Sequence, residues 1–107
     1  MNYEVRLRPE LLGDVSEAHG WYEDRATGLG DEFLRTFYAA IARIQRDPVL
    51  FRKVHSDFRR LFLRRFPYFL YYRVEHDTIV FILLFHCAQH PRVMRRELRT
   101  RRTFARS

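Results

Sequence analysis

Residues 66–86 read FPYFLYYRVEHDTIVFILLFH, and the way this stretch folds constrains everything around it. Glu75-His76-Asp77 is a polar break between two apolar runs, Phe66 to Val74 and Thr78 to His86. Runs of this length, rich in aromatic and β-branched residues and separated by so few positions, are neighbouring antiparallel strands. Successive strand side chains alternate between faces, so Thr78, Val80, Ile82 and Leu84 point one way and Ile79, Phe81, Leu83 and Phe85 the other. The first run is also apolar on both faces, through Tyr68, Leu70 and Tyr72 on one and Phe69 and Tyr71 on the other. A sheet built on these strands needs cover on both sides.

Two more extended segments precede them, roughly Phe51 to Val54 and Phe58 to Arg65. Further upstream the period changes. Leu11, Val15, Ala18 and Tyr22 recur at helical spacing after Pro9, which suits a first helical turn; Asp14, Glu17, Glu23 and Asp24 are placed on the outer side. Thr27-Gly28-Leu29-Gly30 breaks the pattern, and a second stripe of Phe33, Phe37, Ala40 and Ile44, widened by Leu34 and Ile41, runs to Asp47-Pro48. Asp31 and Glu32 suit its positive N-terminal end. Tyr3, Val5 and Leu7 alternate with polar residues as a half-buried strand does. The fold class is therefore α+β in the order β-α-α-β-β-β, a two-helix hairpin packed on one face of a small, mainly antiparallel sheet. A hairpin covers one face only. The other is expected to expose an aromatic and aliphatic groove fringed by Arg59, Arg64, Arg65 and Arg73, unless the C-terminal segment folds back over it or a second copy closes it.

At 107 residues the chain has room for one domain, residues 1–107, with 92–107 as a basic C-terminal helix or tail. Residues 1–50 carry six arginines against nine acids (net −3) and residues 51–107 carry 14 cations against four acids (net +10), so the basic surface belongs to the second half. Nineteen of the 20 cations are arginine, which favours bidentate contact with phosphate or carboxylate and points to an anionic partner. The single Cys87 excludes an internal disulfide framework and is expected as a small buried hydrophobe at a strand end. The longest apolar run, Ile79 to Phe85, is far below the roughly 20 residues of a membrane span, and the N-terminus lacks an apolar signal stretch; a cytoplasmic protein with no membrane partner is expected.

Few motifs carry chemistry. His86 and His90 have zinc-compatible spacing on a helix, but Pro91 and the extended pattern before His86 argue against a helix there, so neither metal nor cofactor is expected. There is no Gly-x-Ser-x-Gly elbow and no glycine-rich phosphate loop. His86 beside an arginine-rich rim could act as a general acid or base in RNA cleavage, although a strand-end histidine bonded to its own loop is the more economical reading.

The order of elements, Trp21-Tyr22-Glu23 closing the first helix, Gly28-Leu29-Gly30-Asp31-Glu32-Phe33 opening the second, Asp47-Pro48 ending it, Arg65-Phe66-Pro67-Tyr68 leading into Tyr71-Tyr72-Arg73-Val74, and His86 followed by Pro91 resemble the RelE/ParE superfamily of toxins from type II toxin–antitoxin systems, over residues 3–92. The resemblance implies a growth inhibitor neutralised by a cognate acidic antitoxin in a hetero-oligomer, its target either DNA gyrase, as in the ParE-like branch that these motifs favour, or the ribosome and its messenger RNA, as in the RelE-like branch. On the first reading no residue is catalytic, and Arg59, Arg64, Arg65, Arg73, His86 and Arg92 form the target-binding surface. On the second, His86, Arg59, Arg65 and Arg73 are the catalytic candidates. Tyr22, Phe37, Phe69, Tyr71, Phe81 and Leu83 are the expected antitoxin-binding residues. A degenerate toxin kept only as an antitoxin-binding module is a third possibility.

Overall fold

The computed structural model describes residues 2–105 of the chain, and side chains as far as Arg101. In chain order the elements are β1 (Glu4–Leu7), α1 (Pro9–Arg25), α2 (Leu29–Arg46), β2 (Lys53–His55), β3 (Phe58–Phe62), β4 (Tyr68–Glu75), β5 (Thr78–His86) and α3 (Pro91–Ala105). They form an α+β fold around one five-stranded sheet in the order β1-β5-β4-β3-β2. The pairs from β2 to β5 are antiparallel, and β1 lies parallel to β5 at the edge.

Pro9 starts α1 where its missing N–H costs nothing, and Leu11, Val15, Ala18 and Tyr22 are its buried stripe. The break before α2 is shorter than residues 27–30. Gly28 takes φ 89°, a left-handed conformation that glycine adopts without strain, and Leu29 already begins the helix. Glu23, expected on the outer side of α1, reaches back instead: its carboxylate accepts the Gly28 N–H at 2.9 Å and the Gly30 N–H at 3.0 Å. A Cβ on Gly30 would meet the His19 carbonyl oxygen at 2.8 Å, so this glycine sets how closely the two helices approach.

The hairpin packs on one face of the sheet. Its stripe residues and Phe33, Phe37 and Ile44 of α2 meet Leu61, Leu70, Tyr72, Ile79, Phe81 and Leu84 in the first core. The second core lies on the opposite face and corrects the expectation of a bare groove. There α3 lays Met94 and Leu98 over Phe58, Tyr71, Val80, Ile82, Leu83 and Phe85. Leu98 is fully buried and Met94 nearly so, and covering two such side chains contributes roughly 1.5–3 kcal/mol each. The basic C-terminal segment is thus a docked helix, although its last two residues, Arg106 and Ser107, lie outside the described residues.

Strict alternation along β5 also fails at one point. Tyr71 pairs with Leu83 but Tyr72 with Phe81, so Ile82 is an extra residue on β5. This bulge turns Ile82 and Leu83 both toward α3 and returns Leu84 to the hairpin side. At the far edge β2 is three residues long, pairs irregularly with β3, and begins with exposed Lys53.

Tyr72 closes the loop after α2: its hydroxyl donates to the Pro48 carbonyl at 2.6 Å. Burial pushes its pKa up to about 12, with Arg59 opposing and Asp47 adding to the shift. The native state therefore prefers the neutral phenol; this part of the stability is intact below the ordinary value of 10.0 and is lost as pH rises toward about 12. Tyr72→Phe is expected to cost about 1 kcal/mol at neutral pH and to soften the alkaline loss, measured by urea unfolding at neutral pH and within that window.

Candidate functional site

The six rim residues do not form one surface. Arg59, on β3, donates to the Phe51 carbonyl at 2.6 Å and the Val49 carbonyl at 3.4 Å, holding the loop after α2. Arg73 is 5% exposed, ion-paired with Glu75 on its own strand and 5.7 Å above the Phe58 ring, so it belongs to the interior under α3 and not to the groove fringe. Arg64 and Arg65 are exposed in the β3–β4 loop, where Arg65 meets Glu32 of α2 at 2.9 Å. Arg92 is exposed in the first turn of α3.

His86 pairs with Tyr68 at one end of the β4–β5 ladder, whereas Arg59 pairs with Tyr72 toward the other end. Four residues of strand separate Tyr68 from Tyr72, roughly 13 Å at the usual rise. The His86 ring is further committed: its Nδ1 accepts the Ala88 N–H at 3.1 Å, and its carbonyl accepts the Gln89 N–H at 3.1 Å. It shapes the 86–89 turn, with its ring edge-on to Tyr68. Cys87 in that turn is exposed, not buried, because the strand has already ended. Among the described residues no group of three or more His, Cys, Asp or Glu could hold a metal ion, and no helix is long and apolar enough to cross a membrane.

The expected antitoxin-binding residues are mostly interior. Tyr22, Phe37 and Phe81 lie in the first core and Tyr71 and Leu83 in the second, so these five cannot present a surface in this conformation. Phe69 stays half-buried, and with it a piece of the expected groove survives. Helix α3 sits over β5, leaving Phe62 of β3 49% exposed with its ring 5.1 Å from Phe69. Arg60 stacks 3.9 Å above Phe69 and donates to the Tyr71 hydroxyl at 3.1 Å. The result is a small apolar platform under a guanidinium. Sequence reasoning passed over Phe62 and Arg60, although both fall on the same side of β3 as Phe58.

A second feature that the sequence concealed joins three elements. The Asp14 carboxylate of α1 accepts from Arg101 of α3 at 2.6 and 3.1 Å and from the Leu84 N–H at 3.1 Å, while Arg101 also donates to the Ile82 carbonyl at 3.0 Å. The pair satisfies backbone groups at the bulge beyond the last residue of β1. Burial alone would lower the Arg101 pKa, but the hydrogen bond and charge of Asp14, with Glu97 and Glu10 behind it, raise it, and the guanidinium stays charged. Spacing did hold a signal for Asp14: it lies three residues after Leu11 and four before Ala18, on the edge of the buried stripe.

Residues 5–91 match the family model described as the ParE toxin of the type II toxin–antitoxin system parDE. The chain belongs to the ParE toxin family. It is 28% identical over 105 residues to Toxin ParE2 of Mycobacterium tuberculosis, in both strains CDC 1551 / Oshkosh and H37Rv, covering 97% of this chain and 99% of the relative. Two solved structures share the fold. A chain from the chromosomal ParDE system of P. aeruginosa aligns with TM-score 0.65 at 14% identity, covering 78% of this chain and 95% of that one. A mutant of the E. coli toxin RelE in the free state aligns with TM-score 0.62 at 13% identity, covering 94% and 98%. The ParE family match ends at Pro91, the first residue of α3.

Proposed function

We propose that this ParE-family toxin arrests growth inside the cell by binding DNA gyrase, without cutting RNA, and that a cognate acidic antitoxin silences it in a hetero-oligomer. The observation that carries the first part is the separation of His86 from Arg59 and Arg73, with Arg73 enclosed and Arg59 spent on loop carbonyls. RNA cleavage needs an acid or base and phosphate-holding cations around one ribose, and these residues do not converge on a point. Contact with a protein needs only surface, and Arg64, Arg65 and Arg92 remain exposed for it. The Phe62–Phe69 platform under Arg60 supports the second part, because an apolar seat beside a cation suits an amphipathic acidic segment.

The test is expression without the antitoxin, following plasmid supercoiling and messenger RNA integrity in the same culture. Supercoiling is expected to fail while transcripts stay intact; early transcript cleavage with normal supercoiling overturns the proposal. His86→Ala is expected to leave growth arrest within about threefold of the parent, whereas loss of a general acid or base would lower cleavage by roughly 10²- to 10⁴-fold.

A further inference from the structure

We propose that the cleft between α1 and α3 is a second docking site, which takes an extended arginine- or lysine-bearing segment of a partner protein as a short strand added parallel to the end of β5. This cleft, of about 780 Å³, is walled by Glu17 and Trp21 of α1 and by Glu97 of α3, and the end of β5 lies along its floor. It is distinct from the Phe62–Phe69 platform, which lies on the other flank of α3, and the inference does not depend on the antitoxin or on the target of growth arrest.

The geometry points to a strand because β5 is longer than its parallel neighbour. The β1 ladder ends where the Arg8 N–H donates to the Phe81 carbonyl at 3.0 Å, and the chain then turns into α1. Past that rung, among the described residues, the outer edge of β5 is met by side chains: Arg101 on the Ile82 carbonyl and Asp14 on the Leu84 N–H. In a strand the N–H and C=O of one residue point to the same side, so the Leu84 carbonyl and the His86 N–H also face the cleft. A carbonyl and an N–H two residues apart are what one residue of a parallel strand engages, as β1 does along Thr78 to Phe81. The cleft therefore offers the next rung of an interrupted ladder.

Charge selects the occupant. In a chain of net charge +7, the described residues that line the cleft include three carboxylates, Asp14, Glu17 and Glu97, against the guanidinium of Arg101. Asp14 is fully engaged, and Glu97 shares Arg101 at 3.3 Å, whereas Glu17 faces solvent. An acidic segment would be repelled here and a basic one attracted. Trp21, 51% exposed, already shows how a guanidinium seats at this mouth: Arg25 stacks 3.8 Å above its ring. The second wall is α3, which lies past the point where the match to the family model ends.

The test uses the full chain and three capped hexapeptides: alternating Arg-Val, alternating Glu-Val, and the Arg-Val peptide with its central backbone nitrogens methylated. Binding is read from the fluorescence of Trp21, the only tryptophan, and from amide chemical shifts. Saturable binding of the basic peptide with shifts centred on Leu84 and His86, lost on methylation, supports the proposal. The Glu17→Gln/Glu97→Gln double variant is expected to weaken it about tenfold, as two partly exposed ion pairs would. Equal binding of the acidic peptide, shifts confined to other residues, an unchanged affinity in the double variant, or no saturable binding at millimolar basic peptide each overturns it.

Discussion

Asp14→Ala should cost about 3–5 kcal/mol of folding stability, the largest effect of any single substitution that leaves the apolar cores untouched. The carboxylate accepts three hydrogen bonds, two from Arg101 and one from the Leu84 N–H. Its side chain is 20% exposed and that of Arg101 12%, so removing the carboxylate leaves a guanidinium with its charge mostly out of water. The Leu84 N–H loses its acceptor at the same time, an added penalty of about 1–3 kcal/mol if water cannot reach it. Against a total of roughly 5–15 kcal/mol for a domain of this size, much of the population would unfold. Asp14→Asn keeps an acceptor for Leu84 but not the charge and should fall between parent and alanine variant. Urea unfolding of the three proteins, with hydrogen exchange at Met94 and Leu98, measures both stability and whether α3 has left the sheet. A loss below about 1 kcal/mol for Asp14→Ala would mean that the pair behaves as an ordinary surface ion pair.

Phe69→Asp combined with Arg60→Glu should weaken capture of the cognate antitoxin by at least about 30-fold, roughly 2 kcal/mol, while the toxin stays folded. The platform sets exposed Phe62 against half-buried Phe69, with Arg60 over the latter, the composition of a small interface hot spot. Both substitutions remove apolar contact and reverse the field that an acidic segment would meet. Because Phe69 is only half-buried and Arg60 lies over it at the sheet surface, the fold should survive, and circular dichroism checks that. Calorimetric titration with the antitoxin gives the affinity. Unchanged binding would place the antitoxin elsewhere, and growth arrest should persist in this variant because the platform is assigned to neutralisation and not to the target.

Much of this architecture was legible in the residues. The two-sided apolarity of residues 68–85 fixes a central pair of strands, and the spacing of Leu11, Val15, Ala18 and Tyr22 and of Phe33, Phe37, Ala40 and Ile44 fixes the hairpin and its buried side. Helix α3 was hidden because as far as Arg101 its apolar content is reduced to Val93, Met94 and Leu98 among arginines. Only the Met94, Leu98 and Arg101 spacing of four and three, with Arg101 counted as an inward residue, makes the stripe visible. A sequence read for charge puts every arginine in solvent, and Arg101 and Arg73 show the cost of that habit: each has an acid partner, Asp14 from 87 positions away and Glu75 from two. The bulge at Ile82 was equally unreadable, since nothing in an unbroken run of apolar residues marks which one lacks a cross-strand partner. That displacement moved Leu83 from the hairpin core to the core under α3, while α3 itself plugged the expected groove, and five of six expected antitoxin contacts are interior.

The short edge strand β2 has a consequence of its own. Strands as greasy as β4 and β5 would seed fibres if their sheet ended in a long, flat border able to template another molecule. The border offered instead is three residues, kinked by a register slip and opened by Lys53, the sole lysine in an otherwise arginine-only set of cations. On the opposite side, β1 is only four residues long and carries Glu4 and Arg6. Freed molecules should therefore stay dispersed and not polymerise edge to edge, and Lys53→Val is the change most apt to turn a dormant colloidal hazard into visible aggregate.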